Sequence, residues 1–184
     1  MKSLVLVTGG ARSGKSTFAE SLVKETGSNI GYIATSIAFD EGMKDRIIKH
    51  RNSRPAEWIT IERYKDFKEI QQNEEFTKLD TVILDCMTLM VSNLLLEQDI
   101  DYDTCDMQTI DEIEKSIFKE VKELLETLEG KNVVIVTNEV GMGIVPSYKL
   151  GSVFRDVAGR VNQYLASQAK KVYMTVSGIP ISIK

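Results

Sequence analysis

The sequence has few of the residues and none of the long apolar runs that form metal centres, membrane anchors and nucleic-acid-binding surfaces. Its 184 residues include only two cysteines, Cys86 and Cys105, and their separation matches no metal-ligand spacing, so they are interpreted as structural or incidental thiols. The net charge is −4, which argues against a surface coated in positive charge. The most apolar later stretch, residues 87–96, is far shorter than the ~20 residues that cross a bilayer. We therefore expect no nucleic-acid partner and no membrane span.

Nothing in the sequence divides the chain into parts. We find no internal repeat, low-complexity tract or linker, and hydrophobic residues make up 42% of the sequence, as in ordinary globular domains. A single nucleotide-binding catalytic domain over residues 1–184 is therefore expected. The short apolar stretch at the N-terminus is broken at once by Thr8, Gly9 and Gly10, unlike a signal peptide, so we expect the protein to stay in the cytoplasm.

Short apolar runs alternate with longer helical patterns along the chain. This alternation predicts an α/β fold in which helices cover both faces of a mostly parallel sheet. Buried strands are predicted at residues 4–7, 30–34, 82–84, 133–136 and 172–176, with a short edge strand at 179–183. Helices are predicted over residues 110–128, from a capping box at Thr109 and Glu112 to a stop at Gly130, and over 152–169. Residues 97–106 are predicted to form an exposed loop.

The most informative motif follows the first predicted strand. Residues 9–16 have the P-loop pattern of glycine, four residues, glycine, lysine and serine, with a strand before it and a helical pattern after it. A chance glycine-rich turn is the alternative, and both flanks argue against it. In a P-loop the backbone N–H groups bind phosphate oxygens, the lysine binds the β- and γ-phosphates, and the serine hydroxyl binds Mg²⁺. The predicted nucleotide-binding residues here are Gly9, Gly10, Ala11, Arg12, Ser13, Gly14, Lys15 and Ser16.

A P-loop also needs a carboxylate at the end of a neighbouring strand to hold Mg²⁺, directly or through water. Asp85 closes the predicted strand 82–84 and is the first candidate, although a helix N-cap or a turn would use the same residue type. Glu139 is the second candidate, because it follows the strand 133–136 and opens a glycine-rich loop at the same edge of the sheet. The residues alone leave this choice open.

A basic cluster surrounds the single histidine. Residues 44–54 carry five basic side chains and one acidic side chain, a net +4 in a chain of net charge −4, and they are a plausible binding place for a polyphosphate. His50 lies within this cluster. A lone histidine is often an incidental residue on a solvated face, but a neutral imidazole beside phosphate-binding arginines is also a nucleophile toward phosphorus.

Five blocks in this order resemble one family, the bifunctional adenosylcobinamide kinase and adenosylcobinamide-phosphate guanylyltransferase of cobalamin biosynthesis. The blocks are residues 7–16, 32–36, 46–58, 137–146 and 154–163. The resemblance implies a RecA-like P-loop fold, a homotrimer, and two reactions. In the first, ATP or GTP phosphorylates the aminopropanol hydroxyl of the corrinoid. In the second, GTP guanylylates a histidine, which passes GMP to the new phosphate to give adenosylcobinamide-GDP.

The resemblance also implies roles for individual residues. His50 falls at the position of the nucleophile, where some members have two adjacent histidines and this chain has Lys49 and His50. Asp85 falls where other members have glutamate, so its shorter side chain puts the metal geometry in doubt. Nucleotide contacts outside the P-loop are implied for Thr35, Ser36, Ile37, Arg51, Asn52, Ser53, Arg54, Glu62 and Asp85.

Two other functions fit parts of the sequence. A simple small-molecule kinase would share the P-loop and the Mg²⁺ site but would not need a nucleophilic histidine, so the basic cluster favours the two-step enzyme. A GTPase-like switch would be expected to carry a base-recognition motif such as Asn-Lys-x-Asp, which the sequence lacks.

Overall fold

The computed structural model describes residues 1–37 and 54–184, and these residues form one sheet with helices on both faces. The strand order in this part of the chain is β3-β2-β4-β5-β1-β6-β7, with β1 to β6 parallel and β7 antiparallel to β6. The strands are β1 (Ser3–Gly9), β2 (Ile30–Ala34), β3 (Ile59–Glu62), β4 (Thr81–Asp85), β5 (Asn132–Val136), β6 (Lys171–Val176) and β7 (Ile179–Ser182).

Helices follow most of the strands. They are α1 (Lys15–Thr26), the single turn α2 (Glu74–Thr77), α3 (Met87–Leu96), α4 (Met107–Thr127) and α5 (Lys149–Gln168), with a 3₁₀ helix at Phe67–Gln72. The capping box predicted at Thr109 is wrong. Helix α4 begins one turn earlier, because the Asp106 side chain accepts a hydrogen bond of 2.8 Å from the Thr109 N–H and so caps the helix itself. Gly130, which was predicted to end this helix, has a left-handed φ of 81°, as such a helix end requires.

Alternate residues of the buried strands face opposite sides of the sheet. Leu4 and Leu6 of β1 pack in the larger core with the inward faces of α3, α4 and α5. Val7 packs on the other side, where Ala19 and Val23 of α1 cover the sheet. Burial on both faces explains why each strand is almost uniformly apolar, and it leaves the strand ends as the places for polar side chains.

The five predicted strands and the C-terminal edge strand are confirmed, but β6, predicted to be buried, is only partly buried, and its Val176 is 46% exposed. The strand order confirms the predicted RecA-like P-loop fold, because β5 is inserted between β1, which leads into the P-loop, and β4. Strand β3 was not predicted. It is short and only partly buried at the sheet edge, so its apolar signal is weak. Within the described ranges, no helix is both long and apolar enough to cross a membrane.

Candidate nucleotide-binding site

The P-loop joins β1 to α1, and two of its glycines are required by close packing. A Cβ atom on Gly9, where φ is 150°, would lie 2.4 Å from the carbonyl oxygen of Thr175. A Cβ atom on Gly14, where φ is 92°, would lie 3.1 Å from the Cα atom of Gly178. No other residue fits either position without strain, so the loop can pack tightly against the turn between β6 and β7.

Lys15 folds back over the loop. Its Nζ donates a hydrogen bond of 2.6 Å to the carbonyl oxygen of Gly10, and the residue is only 7% exposed. Burial lowers the pKa of Lys15, against the opposing influence of Cys86 and Asp85. The ammonium group therefore lies over the P-loop with one of its three donors on a backbone carbonyl, in a position to exchange that carbonyl for a phosphate oxygen.

The turn between β6 and β7 holds the P-loop from the other side. The Ser13 hydroxyl donates to the Thr175 hydroxyl at 3.3 Å, and the Thr175 hydroxyl donates to the Thr8 carbonyl at 3.0 Å. The Gly178 N–H donates to the Ser13 carbonyl at 2.9 Å. Thr175 and Gly178 were not predicted to support the P-loop. The available signal was Ser177-Gly178, a two-residue hairpin turn in which both residues have positive φ.

Strand register brings the other predicted residues to the same edge of the sheet. Ala34 is paired with Glu62 on one side and with Asp85 on the other, so Thr35, Glu62 and Asp85 lie at neighbouring strand ends. Asp85 is also level with Val136, which is level with Val7. Two strand spacings therefore separate Asp85 from the end of β1, roughly 10 Å, the scale on which a triphosphate and its cation would lie between them.

Tyr32 positions Asp85. Its hydroxyl donates a hydrogen bond of 2.7 Å to Asp85 Oδ2, and the residue is 1% exposed. The guanidinium carbon of Arg54 lies 3.6 Å from the centre of the Tyr32 ring, and Trp58 stacks nearby. Burial, helped by the Asp85 carboxylate, raises the pKa of Tyr32, so the hydroxyl remains a donor. Sequence reasoning gave Tyr32 no role, because a tyrosine in an apolar strand is typical of a core residue.

Thr35 and Asn93 hold the segment that follows Asp85. The Thr35 hydroxyl donates to the Cys86 carbonyl at 2.7 Å and accepts from the Cys86 N–H at 3.0 Å. The Asn93 side chain donates to the Thr35 carbonyl at 2.7 Å. The predicted contact of Thr35 with nucleotide stays a prediction, since its hydroxyl is already engaged. Asn93 was missed, although a buried asparagine inside the apolar run 87–96 was the available signal.

Glu139 lies beside the start of the P-loop. Its N–H donates to the Gly9 carbonyl at 3.0 Å, and its Oε1 accepts from the Gly141 N–H at 2.9 Å. The carbonyl of the preceding Asn138 accepts from the Asn162 side chain of α5 at 3.0 Å. Glu139 is thus fixed to the loop by its backbone, and the choice between it and Asp85 as the metal carboxylate stays open.

The residues at this edge fit a magnesium ion. Residues 1–37 and 54–184 contain no cluster of three or more metal-binding side chains, but Mg²⁺ beside a triphosphate needs only one or two protein oxygens, the rest coming from phosphates and water. Ser16 lies in the first turn of α1, and Asp85 is close enough to Lys15 to influence its pKa. Both supply the oxygen donors that Mg²⁺ prefers.

Part of the predicted site lies outside the described residues. The predicted nucleophile His50 and the predicted nucleotide contacts Arg51, Asn52 and Ser53 fall there. Arg54, the last residue of the basic cluster, is described and lies against Tyr32 as above.

Comparison with known proteins agrees with this geometry. The family model described as cobinamide kinase / cobinamide phosphate guanyltransferase matches residues 5–183. The chain is 45% identical to the bifunctional adenosylcobalamin biosynthesis protein CobU of Escherichia coli (strain K12), covering 98% of this chain and 99% of that protein. It is 43% identical to the CobU protein of Salmonella typhimurium, with the same coverage, and 37% identical to the CobP protein of Pseudomonas aeruginosa, covering 97% of this chain and 96% of that protein.

A weaker similarity connects the chain with solved structures. One is the flagellar accessory protein FlaH from Methanocaldococcus jannaschii, with 17% identity, a TM-score of 0.48, and coverage of 99% of this chain and 78% of that chain. This likeness is too low to support a statement about function. The match across residues 5–183, together with relatives 37–45% identical over nearly their full length, shows that the chain belongs to the cobinamide kinase / cobinamide phosphate guanyltransferase family.

Proposed function

We propose that this chain phosphorylates the aminopropanol hydroxyl of adenosylcobinamide with ATP or GTP and then transfers GMP from GTP to the new phosphate. The observation that carries the proposal is the P-loop with Lys15 folded over it, in a chain of this family. We place both reactions in the cytoplasm, where nucleoside triphosphates are abundant, and propose no nucleic-acid partner for a chain of net charge −4.

In the kinase reaction the hydroxyl oxygen of the corrinoid arm attacks the γ-phosphorus, the bond from that phosphorus to the β-phosphate oxygen breaks, and the hydroxyl proton is released to solvent. The P-loop N–H groups and Lys15 orient the phosphates and stabilise the charge that develops on their oxygens. Ser16 and Asp85 are the residues proposed to hold Mg²⁺, which when bound neutralises phosphate charge. Tyr32 keeps the Asp85 carboxylate in one orientation.

In the guanylyl transfer a ring nitrogen of His50 attacks the α-phosphorus of GTP, and pyrophosphate leaves. A phosphate oxygen of the phosphorylated corrinoid then attacks the same phosphorus, the phosphorus–nitrogen bond breaks, and the imidazole is restored. Supporting this role, His50 is the only histidine and has basic neighbours. Arg54 lies over the ring of Tyr32, whose hydroxyl binds Asp85. Arg54 is four residues after His50, so the two residues are at most about 14 Å apart along an extended chain.

The test is incubation with α-labelled GTP followed by a denaturing gel, with wild type and His50→Asn. Wild type should become covalently labelled through a bond that is labile in acid and stable in alkali, and His50→Asn should not. Because only the neutral imidazole is nucleophilic and its ordinary pKa is ~6.5, labelling should fall as the pH drops below that value. His50→Asn should keep a substantial share of phosphoryl transfer, which needs no covalent intermediate. Label that persists in His50→Asn would remove this residue from the mechanism.

We also propose that the chain forms a homotrimer, the state implied by the family resemblance. Supporting self-association, one face of the terminal hairpin carries apolar side chains in register, since Met174 is paired with Ile181 and Val176 with Ile179. Ile179 is 65% exposed and Ile181 is 49% exposed. An apolar strand face exposed to this degree is typical of an interface. Sedimentation of Ile181→Lys should show smaller species than wild type, and an unchanged trimer would place the interface elsewhere.

A further inference from the structure

The two reactions above give no role to residues 154–163 of α5, one of the five sequence blocks. Its side chains line a cavity of about 520 Å³ between α5 and the sheet. Gly159, Arg160 and Gln163 come from the helix, and Thr8 and Glu139 come from the strand ends beside the P-loop. The cavity lies on the α5 face of the sheet, opposite the face that α1 covers, and Thr8 is the residue immediately before the P-loop.

Thr8 provides an unsatisfied polar group at this cavity. The residue is 9% exposed, and its hydroxyl is buried without a hydrogen-bond partner among the residues that the structure describes. Its backbone is engaged, because the Thr8 carbonyl accepts from the Thr175 hydroxyl. Buried hydroxyl groups in proteins usually have a partner, and Thr8, unlike Thr127, which is equally unpartnered among the described residues, borders a cavity in which a bound molecule can supply one.

Gly159 leaves room for a ligand in this cavity. It lies in the middle of α5, where glycine is less favourable than any ordinary residue except proline. A Cβ atom built on Gly159 meets no atom within 4 Å, so no close packing in the described part of the chain calls for glycine. The absence of a side chain at Gly159 leaves open space inside the cavity.

The positive charges of the cavity are already paired, which argues against an anionic ligand. Arg155 donates two hydrogen bonds to Asp156 Oδ1, of 3.0 and 2.9 Å. Arg160 donates through Nη2 to Glu114 Oε2 at 2.8 Å and also through Nε to Oε1. Both guanidinium groups are therefore already neutralised by carboxylates. A phosphate site needs an uncommitted cation, whereas the hydroxyl of Thr8 and the amide of Gln163 suit a neutral group that both donates and accepts hydrogen bonds.

We propose that this cavity binds the carboxamide-bearing edge of the corrinoid acceptor, with the Thr8 hydroxyl hydrogen-bonded to one of its amides. The inference rests on the proposed function. A corrinoid is too large for 520 Å³, so one edge enters and the rest of the ring stays outside. Since Thr8 directly precedes Gly9, an amide bound there brings the corrinoid arm to the start of the P-loop. The nucleotide and the acceptor then approach the end of β1 from opposite faces of the sheet.

A cavity-filling pair of variants tests the proposal directly. Gly159→Leu should place a bulky side chain in the cavity, and Gly159→Ala is the matched control, because it adds only one methyl group to open space. Binding is measured by equilibrium dialysis of cobinamide without nucleotide, detected by its visible absorbance. We expect Gly159→Leu to bind cobinamide at least tenfold more weakly than wild type and Gly159→Ala to bind within twofold. Both should bind GTP and become labelled by α-labelled GTP like wild type. Wild-type affinity for cobinamide in Gly159→Leu overturns the proposal.

A second pair keeps the test independent of how Gly159→Leu folds. Thr8→Val removes the hydroxyl and keeps the shape, and we expect the KM for cobinamide to rise about fivefold with the KM for nucleotide unchanged. Thr127→Val is the matched control, because Thr127 is also a buried threonine whose hydroxyl has no partner in the described ranges, and it lies away from the cavity. Equal effects of the two substitutions overturn the proposal.

Two further readouts distinguish failure of this inference from failure of the proposed function. If wild type phosphorylates cobinamide and all four variants match it, the cavity is not the acceptor site and the proposed function stands. If wild type neither binds nor phosphorylates cobinamide, the proposed function fails and the inference fails with it. The second readout is sedimentation of Gly159→Leu. A number of subunits different from wild type would indicate that the cavity is a subunit contact and would overturn the proposal.

Discussion

Replacing Tyr32 with phenylalanine tests whether the Tyr32 hydroxyl controls the orientation of Asp85, the carboxylate proposed to hold Mg²⁺. The substitution removes one oxygen atom from a residue that is 1% exposed and leaves the ring between Arg54 and the sheet. The lost interaction is a 2.7 Å hydrogen bond to Asp85 Oδ2. A hydrogen bond to a charged group contributes about 1.5–3 kcal/mol. For a chain of this length each kcal/mol corresponds to a shift of about 2–4 °C, so we expect the Tm to fall by about 3–12 °C.

The effect on function should be separable from the effect on stability. Without the tyrosine hydroxyl, the Asp85 carboxylate is free to rotate, and a cation that needs one fixed oxygen should bind more weakly. We expect Tyr32→Phe to require several-fold more Mg²⁺ for half-maximal phosphoryl transfer and to recover most of the wild-type rate at saturating Mg²⁺. The measurements are a thermal melt without ligands and a titration of kinase activity against Mg²⁺ at saturating nucleotide.

Tyr102→Phe is the matched control. Tyr102 is also buried, and its hydroxyl donates a hydrogen bond of the same length, 2.7 Å, to the neutral carbonyl of Leu95, away from the site. It should lose about 1 kcal/mol of stability with no change in the Mg²⁺ requirement. The reasoning is refuted if Tyr32→Phe loses stability while its Mg²⁺ requirement stays the same, because Tyr32 would then be a core residue only.

Three other substitutions test the P-loop and its carboxylate. Lys15→Ala should reduce both reactions at least about 100-fold, since a contact to developing phosphate charge contributes ~3 kcal/mol; near-normal guanylyl transfer would indicate a separate nucleotide site. Asp85→Asn should weaken Mg²⁺-dependent turnover and recover partly at high Mg²⁺, and an unaffected Asp85→Asn beside an inactive Glu139→Gln would assign the metal to Glu139. Gly9→Ala should lower the Tm and abolish nucleotide binding, because its Cβ would lie 2.4 Å from the Thr175 carbonyl, whereas Gly10→Ala meets nothing within 4 Å and should fold normally.

The sequence was most informative where one physical requirement controls the pattern. Strands buried on both faces must be apolar, so β1, β2, β4 and β5 were predictable from short apolar runs, and the partly buried β6 still has an apolar run at its centre. Edge positions relax that requirement, which is why β3 was missed. The start of α4 was placed one turn late, because Thr109 and Asp106 are both good caps and only the backbone geometry selects Asp106.

The P-loop was predictable because its backbone path needs glycine and its chemistry needs lysine and serine. The residues that support it were not, because each has an ordinary role at its place in the sequence. Tyr32 is an aromatic residue in a strand, Asn93 is one polar residue in an apolar helix, and Thr175 is a β-branched residue in a strand. Their function depends on contacts between distant segments. Tyr32 reaches Asp85 of the neighbouring strand, Asn93 reaches the Thr35 carbonyl after β2, and Thr175 is paired with Gly9 of β1. Such pairing cannot be inferred from local periodicity.

Alternation along β1 offers a physical reason why one P-loop can serve two large substrates. Val7 faces α1, Thr8 lines the cavity on the α5 face, and Gly9 begins the P-loop. The groups proposed to bind nucleotide from the α1 side, including Lys15 and Asp85, therefore need not share space with an acceptor that enters beside α5. In the proposed arrangement the sheet itself separates the two substrates until they meet at the end of β1. A bulky corrinoid can then be exchanged without displacing the nucleotide, which a single shared pocket would not permit.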